Sequence, residues 1–303
     1  MTELTDFQQK ISAFLPHIKF LFWEPMAKHT SFRIGGNAEV MAFPKTKEEL
    51  AALLKTSALL DCKFAILGAG TNVLAPDEGI AGLVICLKDC MDGMCLLDET
   101  HLQVMAGVTM SRSAVFAANA GLSGMEFAHG IPGTVGGGVY MNAGAYGGEL
   151  CQIIERVEVM DYEGNIHIYS AEQMGFSYRH SRLEEESGIV ICVDFKLENK
   201  PVEEIRAKMK ELMGKRSFSQ PLDLPSAGSA FKRPSGGYAA ALIDQAGLKG
   251  YRVGGAAISE KHAGFAVNLG GATAEDVRSL LQQVSDKVYS HSGIRLEPEI
   301  RIW

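Results

Sequence analysis

Ten of the chain's 33 glycines fall within residues 121–148, where an even spread over 303 residues would place about three. Regular elements tolerate that density poorly, since a glycine inside a helix or strand costs roughly 0.5–1 kcal/mol relative to alanine. Bare backbone is wanted there either for tight turns and close-packed main chain or for a ligand lying against the peptide groups. GIPGTVGGG (residues 130–138) and MNAGAYGGE (residues 141–149) have the composition that lets successive N–H groups converge on an anion.

A second cluster, LGAGTNVL (residues 67–74), follows the apolar run 64–67 and reads as a strand ending in a phosphate-binding turn, with Thr71 and Asn72 as further donors. It is not the fingerprint of a doubly wound dinucleotide fold. Gly68 and Gly70 satisfy the first two positions of GxGxxG, but Val73 stands at the third and Pro76 breaks the stretch where a helix should open. No GK[ST] follows, so the turn is not a P-loop either. Two separate glycine loops suit an extended diphosphate, which points to a dinucleotide.

Length and composition set the class. A chain of 303 residues, 47% apolar and 21% charged, is expected to fold into two or three structural units with a large core. With 29 basic and 36 acidic residues the net charge is -7 and no basic run is long enough to track nucleic acid, which is therefore not an expected partner. Local arginines and backbone amides can still bind an anion. The start, MTELTDFQQKISAFLP, lacks the basic region and cleavage site of a secretory signal, and no stretch reaches the roughly 18 apolar residues of a membrane span. A cytoplasmic protein with no membrane insertion is the expectation. Cys86, Cys90 and Cys95 are spaced wrongly for zinc, and all six cysteines are expected as free thiols, these three buried, with no metal site.

Apolar spacing predicts helices over residues 4–18, 47–60, 111–120, 202–215, 238–246 and 275–290, with Thr46 and Thr273 as N-caps. Strands are predicted at 64–67, 83–87, 102–105, 157–160, 166–169, 189–197, 255–258 and 264–268, with a hairpin turn at 161–165. The uneven clustering of strands and helices implies an α+β chain with mixed sheets. Pro201, before a charged amphipathic helix, marks the expected boundary between a domain of residues 1–200, in subdomains of about 1–86 and 87–200, and a smaller one of 201–303.

Three further stretches could carry chemistry. SAGSAFKRP (residues 226–234) sets Ser229 and Lys232 in a glycine-flanked turn, but with no GxSxG elbow and no neighbouring histidine it does not read as a hydrolase nucleophile. YRHSRL (residues 178–183) gathers two arginines and a histidine, either an exposed basic turn or a carboxylate or phosphate clamp. LEPEIRIW (residues 296–303) places Glu297, Glu299 and Arg301 on one face of a terminal strand, against solvent or at the edge of a site.

Taken in order, HTSFRIGG, LGAGTNVL, EFAHGIPGTVGGGVYMNAGAYGGE, YRHSRL, AGSAFKRP, LKGYRVGGAAISEKHAGFAVN and LEPEIRI resemble the UDP-N-acetylenolpyruvoylglucosamine reductase (MurB) family over nearly the whole chain. The resemblance implies an FAD-binding fold of the p-cresol methylhydroxylase type in two subdomains, followed by a smaller α+β substrate-binding domain. It also implies noncovalent FAD, NADPH as hydride source, and reduction of the enolpyruvyl ether of UDP-N-acetylglucosamine to UDP-N-acetylmuramate. Arg179 corresponds to the arginine that binds the enolpyruvyl carboxylate, Ser229 to the serine that protonates the α-carbon, and Glu299 to the acid that stabilises the enediolate. Glu299 would then need a raised pKa from burial near the flavin.

The resemblance assigns the cofactor to Gly68, Ala69, Gly70, Thr71 and Asn72, to Gly130, Ile131, Pro132, Gly133, Thr134, Gly136 and Gly137, to Asn142, Ala143, Gly144 and Ala145, and to Arg216 beside the flavin ring. Tyr178, Lys232, Arg233, His262 and Arg301 match positions lining the substrate cleft, although a surface histidine in SEKHAG needs no ligand. The chain lacks the tyrosine-bearing loop of the longer subgroup, carries SFSQP where that subgroup places a lysine, and has Arg233 in place of an asparagine. It therefore resembles the shorter subgroup. An FAD oxidase of the same fold family, or an inactive nucleotide-binding regulator, is the competing reading. The joint presence of Arg179, Ser229 and Glu299 favours the reductase.

Overall fold

The chain folds as it does because two apolar sets are interleaved along it. A computed structural model describes residues 4–303, so the first three residues of the stretch read against a secretory signal lie outside the described residues. One unit comprises residues 1–22, 39–69 and 81–214, and the other comprises 23–38, 70–80 and 215–303. The boundary expected near Pro201 falls elsewhere. Helix Val202–Ser219 starts there, but its Ile205, Met209 and Leu212 are buried in the core of the first unit.

In the first unit, Phe64–Leu67 pairs in parallel with Ile80–Cys86, in a four-stranded sheet completed by Asn37–Phe43 and Lys19–Pro25. These last two strands carry no clear two-residue alternation, which is why the pattern reading passed over them. A five-stranded antiparallel sheet runs in the order Ile166–Ser170, Ile154–Met160, Ile189–Lys196, His101–Met105 and Met94–Leu96. The predicted hairpin is present: Met160 pairs with Ile166, and Asp161 Oδ1 accepts from the Glu163 and Asn165 amides, as an Asp-led turn should. Helix Met110–Asn119 opens at Thr109, whose hydroxyl accepts from the Arg112 amide.

A six-residue helix, Val135–Tyr140, occupies the glycine run that had been expected as open loop. Packing explains it. A Cβ on Gly136 would lie 2.9 Å from the Ala106 Cβ and one on Gly138 would lie 3.0 Å from Leu150, so these glycines let the helix backbone approach its neighbours.

In the second unit, Ser226–Ser229, Phe265–Asn268, Ala256–Ile258 and Arg252–Val253 form an antiparallel sheet in that order. Helix Ala274–Ser292 buries Val277, Leu280, Leu281, Val284 and Val288, the spacing of one helical face. Its start is capped twice: Thr273 Oγ1 accepts from the Asp276 amide, and the Asp77 carboxylate accepts from the amides of Ala274 (2.8 Å) and Glu275 (3.2 Å). Phe32, Ile34 and Leu74, far apart in sequence, complete this core.

The six cysteines are free, but not uniformly buried: Cys86 and Cys192 are buried while Cys95 is exposed, at the edge of the five-stranded sheet. Among the described residues no helix is long and apolar enough to cross a membrane, and no cluster of three His, Cys, Asp or Glu side chains could hold a metal ion.

Candidate active site

The two glycine loops meet within the first unit. A Cβ on Gly68 would lie 2.4 Å from Thr134 Oγ1, so only glycine lets the end of strand Phe64–Leu67 touch the cap of helix Val135–Tyr140. Among the described residues, the amides of Gly68, Ala69, Gly130, Gly133 and Thr134 donate to no protein acceptor. That set has the character of an anion cradle. The convergence expected along residues 130–138 does not extend through all of them, because the Ile131 amide donates to Ala128 O, Gly136 to Ala106 O and Gly137 to Thr134 Oγ1. Ala143 likewise donates to Gly138 O, at 2.7 Å. Cys86 Sγ lies 4.0 Å from Gly68 O, and burial pushes its thiol up to about 11, so no thiolate stands beside this loop.

Residues 177–181, containing Tyr178 and Arg179, are tied to the glycine hairpin that follows the helix. Asn142, 1% exposed, donates to Ser177 O (3.0 Å) and Glu149 Oε2 (3.1 Å) and accepts from the Cys151 amide (3.0 Å). With both polar atoms of its side chain engaged, Asn142 acts as a strut between these segments. Ser181 Oγ donates to Tyr140 O at 2.8 Å. Arg179 itself has φ +55, a conformation that costs an arginine free energy and that the clamped loop imposes. Its Nη2 donates to Gly144 O (3.2 Å) and its guanidinium stands 5.0 Å from the Tyr178 ring centroid. The fork is thus aimed by its own strained backbone, by Gly144 and by a ring, rather than lying as a loose basic turn.

The second unit brings Ser229, Lys232 and Glu299 onto adjacent segments. Ser229 ends a strand and pairs with Phe265; Gly228, with φ +77, forms the bulge before it. The Glu299 amide donates to Ala230 O (3.0 Å), and the Lys232 amide donates to Glu297 O (2.9 Å). Lys232 Nζ also pairs with Glu297 Oε1 at 2.5 Å. Strand Arg301–Ile302 then runs parallel to Val73–Leu74, so Glu299 and Arg301 are held beside the end of the LGAGTNVL loop. In that loop Gly70 has φ +61, and a Cβ there would lie 2.1 Å from His29 O.

The remaining residues separate by role. Arg233 stacks on Tyr238, 4.7 Å from its ring centroid, and Arg216 is 9% exposed at the end of helix Val202–Ser219. His262 is half-buried, not a surface residue: its Nδ1 accepts from the Gly264 amide (3.1 Å), and its ring meets Phe265 edge-on at 5.0 Å. Burial holds its pKa below the usual value, which keeps the imidazole neutral. Asn142 and Ser181 as struts were missed by sequence reasoning. Their signal was a polar side chain inside a glycine run and another within the basic turn, visible only once the partners were known.

Residues 38–170 match the FAD binding domain model, and residues 220–303 match the model of the UDP-N-acetylenolpyruvoylglucosamine reductase C-terminal domain. The chain is 46% identical over 293 residues to UDP-N-acetylenolpyruvoylglucosamine reductase of Caldanaerobacter subterraneus subsp. tengcongensis, covering 97% of this chain and 96% of that protein. It is 41% identical to the reductase of the same name from Streptococcus pneumoniae (strain JJA), with 97% of each covered. The crystal structure of the Thermus caldophilus enzyme superposes with a TM-score of 0.80 at 39% identity, over 95% of this chain and 99% of that one.

Proposed function

The chain belongs to the UDP-N-acetylenolpyruvoylglucosamine reductase family, and on that premise we propose that Arg179, Ser229 and Glu299 divide the work of its reaction. It is an FAD-dependent enzyme that uses NADPH to reduce the enolpyruvyl ether of UDP-N-acetylglucosamine enolpyruvate to UDP-N-acetylmuramate, a step of peptidoglycan precursor synthesis. The fit to FAD is supported by the acceptor-free amides of Gly68, Ala69, Gly133 and Thr134, where two glycine loops touch. Bound FAD, reduced by NADPH, supplies the hydride.

The chain's own residues manage charge and proton. Arg179, fixed by Gly144 and Tyr178, binds the substrate carboxylate bidentately and lowers the energy of the charge that spreads onto it during reduction. Ser229 Oγ gives a proton to the carbon bearing that carboxylate. Glu299, acting as the neutral acid, donates a hydrogen bond to the developing charge; this requires a raised pKa. One observation carries the division of roles: the Glu299 amide bonds to Ala230 O, so acid and proton donor come as neighbours on one unit. Tyr178, Lys232, Arg233 and Arg301 supply donors for the substrate's anionic groups, and His262 can offer only Nε2, since Nδ1 is taken. Arg216, at the end of helix Val202–Ser219, would hold the flavin ring. Because the substrate is a UDP-sugar and the reductant NADPH, the enzyme works in the cytoplasm.

The purified protein is expected to be yellow and to oxidise NADPH steadily only when UDP-N-acetylglucosamine enolpyruvate is present. Colourless protein, or turnover indifferent to that substrate, would overturn the reading. In stopped-flow measurements Ser229→Ala is expected to leave reduction of the flavin by NADPH within about twofold and to slow its reoxidation by substrate about 10²- to 10⁴-fold. Equal losses in both half-reactions would remove Ser229 from the proton-donor role.

A further inference from the structure

We propose that Asn72 is a positioning residue for Glu299: its side chain replaces one rung of the terminal β-ladder and so fixes the segment that carries the acid. Strand Arg301–Ile302 pairs in parallel with Val73–Leu74, Arg301 opposite Val73, and the Arg301 amide donates to Asn72 O at 2.9 Å. Continued by one rung in that register, the ladder would have the main-chain amide of Asn72 donate to Glu299 O. Instead Asn72 Nδ2 makes this bond, at 3.1 Å. Asn72 therefore grips the segment on both sides of residue 300, by a side-chain donor to Glu299 and a main-chain acceptor from Arg301.

Two consequences follow. The Asn72 main-chain amide, relieved of the rung, donates to no acceptor among the described residues, as do those of Gly68, Ala69 and Gly70 before it. And the Glu299 peptide is held from two directions, its N–H by Ala230 O and its C=O by Asn72. An alanine at position 72 would remove the side-chain rung, and an aspartate would set an acceptor against the Glu299 carbonyl. An asparagine assigned to the cofactor by resemblance is, on this geometry, first a holder of the catalytic acid.

The inference rests on the role given to Glu299 above, and a double-mutant cycle separates the two. In Asn72→Ala, and in the isosteric Asn72→Asp should the alanine variant fold poorly, flavin content and reduction by NADPH are expected to stay near wild type. Reoxidation by substrate should slow by up to roughly 100-fold, the scale of a misplaced catalytic group. The acid limb of its pH profile should shift. On a Glu299→Gln background the same substitutions should add less than about threefold. In the flavin-free protein, amide hydrogen exchange of residues 297–303 should accelerate at least tenfold in either Asn72 variant. Unchanged exchange there, additive losses in the cycle, or loss of flavin with reoxidation intact after FAD saturation would each overturn the proposal. If Glu299→Gln itself left reoxidation untouched, the role of Glu299 would fall, whatever Asn72 does.

Discussion

Asn142 shows how far a single residue can be read before its partners are known. Its position in NAGAYGG drew it into the cofactor set, because every neighbour suggested ligand-facing backbone. Buried at 1% exposure with φ +41, its side chain joins Ser177 O, Glu149 and the Cys151 amide, a structural role that its neighbours in sequence did not suggest, and it holds the turn that carries Arg179. Gly136 and Gly138 make the same point: bare backbone there lets a helix pack on Ala106 and Leu150. By contrast the family was legible, since seven motifs in fixed order over nearly the whole chain narrow the reaction sharply. Asn142→Ala is expected to strand two acceptors and a donor and to destabilise the protein by about 1–3 kcal/mol. It should also raise the KM for substrate as the Arg179 turn loosens, while flavin content holds. Denaturant unfolding and steady-state kinetics measure both, and a stability loss with KM unchanged would sever Asn142 from Arg179.

Elements with caps and clear periodicity were found to within a few residues: Thr46 and Thr273 each open a helix as expected, the hydroxyl accepting from a backbone amide, and Thr109 does the same for helix Met110–Asn119. Elements without them escaped, as strands Lys19–Pro25 and Asn37–Phe43 did, because their burial follows tertiary packing rather than alternation. One strand start carries a titratable device that no pattern would reveal. Ahead of His101–Met105, Asp98 Oδ1 accepts from the Thr100 amide (2.7 Å) and the His101 amide (2.9 Å), and Oδ2 lies 2.8 Å from His101 Nδ1. The Thr100 amide, followed by the His101 ring, holds the Asp98 carboxyl down to about 2, and the Asp98 carboxylate in turn raises the His101 pKa. For Asp98 the contribution is present above its unfolded pKa of about 3.9 and is lost as pH falls from about 4 towards 2. For His101 it is present below about 6.5 and is lost as pH rises through the raised folded value. The Tm difference between wild type and His101→Gln should therefore peak between about pH 4 and 6.5 and shrink on either side. A difference that stayed flat from about pH 2 to 8, spanning both losses, would show that the ring contributes packing alone.

At the scale of the whole chain, the α+β class and the FAD-binding and reductase C-terminal regions were legible, but the partition of the core was not. Pro201 does precede a helix, yet the second core draws Phe32, Ile34 and Leu74 from segments 23–38 and 70–80, which no composition shift marks. The same segments supply polar ties within that unit. Ser31 Oγ donates to Ser226 O (2.6 Å), Phe32 O accepts from Asn268 Nδ2 (3.0 Å), and Asp77 caps helix Ala274–Ser292. A fragment of residues 215–303 would therefore lack three core side chains worth about 1.5–3 kcal/mol each. Their sum is comparable to the roughly 5–15 kcal/mol by which a whole domain is stable. The fragment, although it contains the entire C-terminal family match, is expected to show no cooperative thermal transition and poor amide dispersion by NMR. The full chain should unfold cooperatively. Adding the separate peptides 23–38 and 70–80 should restore structure only weakly, since two association steps oppose the same contacts. A fragment that folds unaided would mean that the sheet of the second unit and its helices Ala239–Gln245 and Ala274–Ser292 hold their own core, and that Phe32, Ile34 and Leu74 merely seal it.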